Sequence, residues 1–323
     1  MSVPTGVITR TKRSTPRKLR PLKRLVKSAI GQTNVVKDTD AGPLVALNTG
    51  TLNQTVQRAT AMRMSLSGST EGFFKARDVP GDDVQALRLG NSTSEFAVAS
   101  SRLARALGLG TLITRNKWGK INGVFGVFSA KAPGDPLEKD SPGGRLFQNV
   151  DYRREGRIQK GLFDLQLFDS ITGQVDRNAG NIFIDRATGK VTGIDDDASF
   201  LTPNAAIDDL HPGGTNPGPP DFVDEGTAQK VLALNANDLP GIFKRTGDPF
   251  PLPKEAIELA QQRLAAIQDH IRDLKRNGRL IKTSQWGQGL YAQLTAGPDN
   301  YLLRAATRLQ QAVHNAVGAP PTF

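Results

Sequence analysis

The sequence predicts an α+β protein of two lobes, a small strand-rich lobe followed by a larger helical one. Short apolar runs of strand length dominate the chain before residue 130, whereas apolar residues at helical spacing dominate its second half. Between them, six of the fourteen residues 131–144 are Pro or Gly, a composition typical of a linker. We therefore expect a basic tail at residues 1–60, a first lobe at 61–130, and a hinge with the helical second lobe at 131–323.

The tail carries the net charge of +11. Residues 1–37 contain ten Lys and Arg and no acid, while the remainder has 32 basic and 31 acidic residues. The first aromatic residue is Phe73, so a packed core is expected to start near it and the tail is predicted to be disordered. Leucines at helical spacing among the basic residues leave a second interpretation open, in which a short amphipathic segment lies on an anionic membrane surface. Nucleic-acid binding is disfavoured because the tail has no aromatic residue for base stacking.

The first lobe is predicted to contain one helix among strands. Residues 71–76 form an apolar strand, and 94–108 form a helix because Phe96, Ala99, Leu103 and Ala106 repeat at spacings of 3, 4 and 3. Two further strands are expected near 112–116 and 123–128.

The second lobe is predicted to place a loop and a hairpin between helices. The expected elements, in chain order, are a helix at 158–172, a loop at 173–180, a hairpin with strands at 181–185 and 190–194, a mobile Pro/Gly loop at 211–220, a long helix ending at Asn277, and a last helix at 301–317.

Composition excludes several classes of chemistry. The absence of Cys removes disulfides, thiolate metal sites and cysteine nucleophiles, and three His residues are too few for most histidine-based sites. No apolar run is long enough to span a bilayer and no Sec-type signal peptide is recognisable, so a soluble protein is expected. The polar, basic leader is also compatible with secretion into a host cell as a bacterial effector. Catalysis must therefore rest on carboxylates, amides and lysines.

One segment has the spacing that a phosphotransferase needs. Asp176 lies in the predicted loop, Asn181 follows five positions later where the hairpin begins, and Asp195 follows fourteen positions after Asn181, where the hairpin ends. Asp176 can accept or orient an attacking hydroxyl, and the oxygens of Asn181 and Asp195 are hard ligands for Mg²⁺. The run Asp195-Asp196-Asp197 leaves the choice of ligand open, and the position directly after the strand favours Asp195.

A positive charge that could bind the phosphates of a nucleotide is predicted in the first lobe. Lys75 ends an apolar strand, where its ammonium can reach the phosphates of ATP, and Glu95 on the following helix is the natural acid to hold it. Alone, Lys75 is also compatible with an ordinary edge-strand charge.

These motifs resemble the atypical branch of the kinase superfamily, which includes the actin-fragmin kinases and the phosphoinositide 3- and 4-kinase-like enzymes. The matching residues are Asp176-Arg177-Asn178-Ala179-Gly180-Asn181 and Ile194-Asp195-Asp196-Asp197, preceded by the lysine strand and its helix. The resemblance implies a bilobal protein-kinase-like fold with catalytic Asp176, metal ligands Asn181 and Asp195, and nucleotide-binding Lys75 and Glu95. Its implied cofactors are ATP and Mg²⁺.

The sequence departs from the pattern of the family at two places. Asn178 stands where the family usually has His. No G-x-G-x-x-G loop is present, and the turn at 66–72 with Gly68 is the only candidate for covering the phosphates.

The expected function is Mg·ATP-dependent phosphoryl transfer to a Ser or Thr hydroxyl of a protein. Three alternatives remain open at this stage: a lipid kinase acting on phosphoinositide head groups, a kinase-fold enzyme that transfers AMP, and a pseudokinase that binds nucleotide without chemistry.

Overall fold

The protein was examined in a computed structural model, which describes residues 94–121, 124–138, 141–200 and 217–305 together with four earlier strands. Gly68 and residues 1–33, 201–216 and 306–323 lie outside the described residues, as do the corresponding parts of the predicted tail, mobile loop and last helix. The predictions of a membrane-binding tail and of Gly68 as a phosphate contact therefore stay predictions.

The strand-rich lobe is an antiparallel sheet that closes on itself. Its strands are β1 (Asn34–Val36), β2 (Val45–Asn53), β3 (Ala61–Leu66), β4 (Glu71–Ala76), β5 (Asn116–Ile121) and β6 (Val124–Ala130). They are ordered β1-β2-β3-β4-β6-β5, and β5 pairs back with β1 to complete a barrel. The strand predicted at 71–76 is confirmed, and the strand expected at 112–116 begins only at its last residue.

The lobe starts earlier than residue 61. Strands β1 and β2 lie within the segment assigned to the tail and pair with β5 and β3. The prediction took the first aromatic residue as the start of the core, but backbone pairing in a sheet requires no aromatic side chain.

Helix α1 (Ser94–Ala106) packs between the sheet and the second lobe, and confirms the predicted helix. On the sheet side, Ala97 and Val98 form a small apolar cluster with Trp118 and Val127. On the other side, Arg102 is buried and forms a two-bond ion pair with Asp248, with both N–O distances 2.6 Å. The helix is thus fixed to both lobes.

The second lobe is built around a buried helix, α4. Its helices are α2 (Pro142–Phe147), α3 (Val150–Arg153), α4 (Gly156–Thr172), α5 (Glu225–Ala233), α6 (Leu239–Phe243), α7 (Lys254–Arg276) and α8 (Gln288–Ala296). Thirteen of the seventeen residues of α4 are buried, and α7 packs its apolar stripe against it through residues such as Leu264 and Ile267. The predicted helices at 158–172 and before Asn277 are confirmed.

A small sheet supports the predicted loop. Strands β8 (Ile182–Ile184) and β9 (Val191–Gly193) form the predicted hairpin, and β7 (Asp135–Pro136) pairs with β8. The Pro/Gly stretch is therefore partly ordered, because β7 and α2 both begin within it. A second pair, β10 (Val223–Asp224) with β11 (Leu280–Ile281), is parallel.

The α+β class, with a strand-rich lobe before a larger helical one, is confirmed by these elements. Among the described residues, no helix combines the length and the apolar character required to cross a membrane.

Candidate active site

Lys75 of β4 reaches across to the predicted metal-binding loop. Its ammonium contacts the carboxylate of Asp197 and lies 3.8 Å from Oδ1 of Asp195. The side chain of Lys75 is 35% exposed, so the ammonium is only partly removed from water. The structure therefore brings together the two lobes at the residues that the sequence selected for phosphate and metal.

Glu95 lies in the first turn of α1 and is half-buried. Its position on the helix after the lysine strand matches the prediction. The ion pair between Glu95 and Lys75 stays a prediction.

The predicted catalytic loop begins where α4 stops. Gly173 ends the helix in a left-handed conformation, with φ +65°, and a Cβ there would lie 2.4 Å from Cζ of Arg263. Glycine is required because an L side chain would be both strained and obstructed. This sharp end releases the chain into the loop that carries Asp176.

Asp176 is held by two amides of its own loop. Asn178 donates from Nδ2 to Oδ1 of Asp176 at 3.0 Å, and its own Oδ1 accepts the N–H of Gly180. Asn181 donates from Nδ2 to the carbonyl oxygen of Asp176 at 2.7 Å and lies 3.4 Å from its Oδ2. Asn178 thus orients the carboxylate and caps a short 3₁₀ turn, Ala179–Asn181.

Asp195 directly follows the hairpin and is joined to the loop of Asp176. The N–H of Ile194 donates to the carbonyl oxygen of Asn181 at 3.0 Å. The side chain of Asp195 is 49% exposed. The carboxylate of Asp197 and burial raise the pKa of Asp195 to about 7, with Lys75 acting in the opposite direction. Because half of the side chain is in contact with solvent, we regard the neighbouring carboxylate as the main cause.

The three consecutive Asp residues have different surroundings. Asp196 is buried and accepts from Nη2 of Arg177 at 2.7 Å and from Nδ2 of Asn116 at 3.2 Å, so its carboxylate is bound on the side away from Lys75. Burial raises the pKa of Asp196 to about 6, although Arg177 lowers it. Asp195 and Asp197 remain beside Lys75, which favours Asp195 over Asp196 as a cation ligand.

Arg177 is the residue that the sequence reasoning missed. Its buried guanidinium makes two bonds to Asp169, at 2.8 and 3.0 Å, in addition to the bond to Asp196. It also donates to the carbonyl oxygens of Ile194 and Asn181, which neighbour or belong to the predicted metal ligands. Burial acts to lower the pKa of Arg177, but the two carboxylates outweigh it and hold the pKa well above its usual range. The available signal was the Arg beside Asp176, which sequence spacing alone could not connect to Asp169 or Asp196.

The chemistry of the donor set fits Mg²⁺ and the phosphates of ATP. Among the four side chains of Lys75, Asp176, Asp195 and Asp197, three carboxylates accompany one ammonium, and Asp176 contributes to the raised pKa of Asp195. The amide nitrogen of Asn181 is used by Asp176, which leaves its oxygen as the end suited to a cation. Within the described ranges, no group of three or more His, Cys, Asp or Glu side chains could hold a metal ion by itself. Mg²⁺ characteristically takes one or two protein ligands and completes its shell with phosphates and water, so Asn181 and Asp195 would suffice as its protein ligands.

The sequence matches no protein-family model and no curated protein. Similar folds occur among solved structures. The proinflammatory kinase CtkA of Helicobacter pylori is 13% identical, with coverage of 72% of this chain and 94% of that chain and a TM-score of 0.41. Vaccinia related kinase 3 is 13% identical, with coverage of 80% and 96% and a TM-score of 0.33. The FAT and kinase domain of CtTel1 is 15% identical, with coverage of 76% and 23% and a TM-score of 0.34.

These likenesses are weak in identity and in superposition. A strand bearing Lys75 precedes α1, and a loop with Asp176 and Asn181 precedes the hairpin that ends at Asp195. The chain therefore has the bilobal α+β fold that the sequence predicts.

Proposed function

We propose that the protein is a Mg·ATP-dependent phosphotransferase whose acceptor is a Ser or Thr hydroxyl of a protein. The observation that carries the proposal is the contact of Lys75 with Asp195 and Asp197 across the two lobes. An ammonium beside paired carboxylates, next to a third carboxylate on a fixed loop, suits a nucleotide triphosphate with its cation better than a neutral substrate.

Each side chain has a defined part in this reaction. Asp176 accepts the proton of the acceptor hydroxyl. The oxygen of that hydroxyl bonds to the γ-phosphorus of ATP, while the bond from the γ-phosphorus to the oxygen that bridges to the β-phosphate breaks and ADP leaves. Lys75 binds phosphate oxygens, which requires it to exchange part of its contact with Asp197 for the nucleotide. Asn181 and Asp195 would hold Mg²⁺, which supplies neutralisation of the charge on the phosphates. Asn178 keeps the carboxylate of Asp176 oriented toward the acceptor.

The decisive experiment uses ATP labelled in two positions. The full chain is incubated with an acceptor lysate and Mg²⁺, once with label on the γ-phosphate and once with label on the α-phosphate. Label on protein from the γ position only is the expected result. Label on lipid from the γ position would identify a lipid kinase, label from the α position only would identify AMP transfer, and nucleotide binding without any transfer would identify a pseudokinase; each of these contradicts the proposal.

Matched variants assign the activity to the site. Asp176→Ala and Asp195→Ala are each expected to lower phosphotransfer at least about 100-fold, because both carboxylates act on the transition state. Asp269→Ala is the control, since its side chain is 76% exposed on α7 and lies outside the candidate site. Circular dichroism of all three proteins checks that the fold is retained. Unchanged turnover in the Asp176 and Asp195 variants would refute the site.

A further inference from the structure

Gln174 is a fully buried amide placed between the two halves of the candidate site. Its Oε1 accepts the backbone N–H of Asp176 at 2.9 Å. Its Nε2 donates to the backbone carbonyl oxygen of Asp195 at 3.0 Å. One side chain thus bonds to the backbone of both carboxylate residues and fixes their separation.

The bond to Asp195 is made at a residue whose backbone conformation is unfavourable. Asp195 has φ 60° and ψ 55°, a left-handed conformation that L residues other than Asn and Asp rarely adopt. Such a conformation persists when surrounding contacts determine it. The Nε2 donor of Gln174 is one such contact, because it holds the carbonyl oxygen of the strained residue itself.

Gln174 is in turn fixed by the end of α4. Its backbone N–H donates to the carbonyl oxygen of Asp169 at 3.0 Å, directly after the left-handed Gly173. The next residue, Val175, donates its N–H to the carbonyl oxygen of Ala198 at 3.3 Å. The backbone at Gln174 and Val175 is therefore anchored to helix α4 through Asp169 and to the segment that follows Asp195 through Ala198.

We infer that Gln174 is a positioning residue that couples Asp176 to Asp195, so that the cation-binding strength of Asp195 depends on the amide of Gln174. The inference rests on the proposed function for the identity of the cation site. The side-chain amide serves both bonds because its oxygen and its nitrogen, which are bonded to the same carbon, supply one acceptor and one donor. A carboxylate in its place keeps the acceptor for Asp176 and loses the donor to Asp195, and a thioether loses both.

The chain supplies a matched control in Gln159. This residue is also fully buried on α4, donates from Nε2 to the carbonyl oxygen of Arg153 at 3.1 Å, and accepts the N–H of Gly287 at 3.0 Å. Its hydrogen bonds match those of Gln174 in number and type, since the amide of Gln174 likewise donates to one backbone carbonyl at 3.0 Å and accepts one backbone N–H at 2.9 Å. They involve no residue of the candidate site, so loss of Gln159 reports the cost of breaking such a bridge in general.

The experiment compares Gln174→Glu, Gln174→Met and Gln159→Met with the wild type in the full chain. Mn²⁺ alone, titrated by electron paramagnetic resonance, is the probe of the cation site, and thermal unfolding without metal reports stability. Partners that orient a metal ligand typically change metal affinity by about 10- to 100-fold when removed. Both Gln174 variants are therefore expected to bind Mn²⁺ at least about 10-fold more weakly, whereas Gln159→Met loses thermal stability and retains wild-type Mn²⁺ binding.

Steady-state kinetics give a second readout. Loss of positioning is expected to lower kcat by about 10-fold or more while KM for ATP changes less than about 3-fold, because the groups that bind the nucleotide remain. Mn²⁺ titrations of the Gln174 variants that coincide with that of the wild type would overturn the inference. Absence of transfer in the wild type would overturn the proposed function instead, and the Mn²⁺ comparison would still be decisive for Gln174.

Hydrogen exchange on the wild type covers the case in which neither Gln174 variant folds. Addition of Mn²⁺ is expected to slow exchange in residues 174–178 and in 194–197 together, because the amide transmits the restraint between them. Slowing confined to 194–197 would show that the two segments are uncoupled and would overturn the inference.

Discussion

Two clusters of Asp residues lie side by side in this protein and have opposite characters. We call the first the arginine network; it consists of Arg177, Asp169, Asp196, Asn116 and Tyr301, all buried. The second is the lysine cluster, which consists of Lys75, Asp176, Asp195 and Asp197. The side chains of Arg177, Asp169 and Asp196 are 0% exposed, whereas those of Lys75 and Asp195 are 35% and 49% exposed.

The cause of the raised pKa differs between the two clusters. For Asp196 the cause is burial, against which Arg177 already supplies the compensating charge. For Asp195 the first cause is another carboxylate, Asp197. A divalent cation would relieve the second situation and has no access to the first. Asp169 and Asp196 thus share the positive charge of Arg177 in the buried network, whereas Asp195 and Asp197 share only the partly exposed Lys75. This excess of negative charge is why the lysine cluster is the candidate functional site.

The largest effect is expected from breaking the arginine network. Arg177→Met leaves Asp169 and Asp196 buried without their cation, and removal of one partner from a buried ion pair typically costs about 3–5 kcal/mol. Urea unfolding should show this loss in the free energy of unfolding. Arg272→Met is the control, because Arg272 is half exposed on α7, and it should change stability by less than about 0.5 kcal/mol. Equal stability of the two variants would show that the network does not hold the loops.

A smaller effect is expected at the edge of the same network. Tyr301 donates its hydroxyl to Oδ2 of Asp169 at 2.8 Å, and both groups are buried. Tyr301→Phe removes one charge-assisted hydrogen bond and should cost about 1–3 kcal/mol of unfolding free energy. Tyr291→Phe is the matched control, since Tyr291 is only partly buried and packs beneath Arg154 through its ring. A Tyr301 variant as stable as the Tyr291 variant would contradict the prediction.

The smallest effect on stability is expected in the lysine cluster, where the substitution should stabilise the protein. Because the pKa of Asp195 is raised to about 7 in the folded protein, the wild type should lose stability as the pH rises from about 4 to about 7. Asp195→Asn carries no charge and keeps the tolerance for left-handed backbone. Without metal it should therefore be more stable than the wild type above about pH 7, by less than about 1 kcal/mol because the side chain is half exposed. Thermal unfolding at several pH values measures this gap.

Asp185→Asn gives the opposite control for this pH series. The hydroxyl of Thr188, then the N–H of Ala187, lower the pKa of Asp185. Its ionised form therefore contributes stability above its usual pKa of 3.8, so the variant should fall behind the wild type as the pH rises to about 4 and the difference should stay constant at higher pH. Asp195→Asn should in addition lose the stabilisation that Mg²⁺ gives the wild type. A difference in stability between Asp195→Asn and the wild type that does not change with pH would contradict the assignment of the raised pKa to Asp195.

The sequence by itself determined the elements whose cause is local. Apolar spacing located α1 and α7, the two strand-like runs that flank Ala187-Thr188-Gly189 located the hairpin, and turn-forming residues located the loop of Asp176. These follow from short-range periodicity and turn chemistry, which act within a few residues. The spacing and chemistry of Lys75, Asp176, Asn181 and Asp195, together with the resemblance, suggested the roles proposed for them.

Only the tertiary structure decided which surroundings each carboxylate has. Asp195, Asp196 and Asp197 are the same type of residue, but Asp195 is exposed, Asp196 is a buried partner of Arg177 and Asp197 is a partner of Lys75. These differences depend on side chains up to 122 positions away in the sequence. The bridge formed by Gln174 and the early start of the sheet at β1 likewise arise from long-range contacts. Burial and the distance between charges are properties of the folded chain, so no local pattern could encode them.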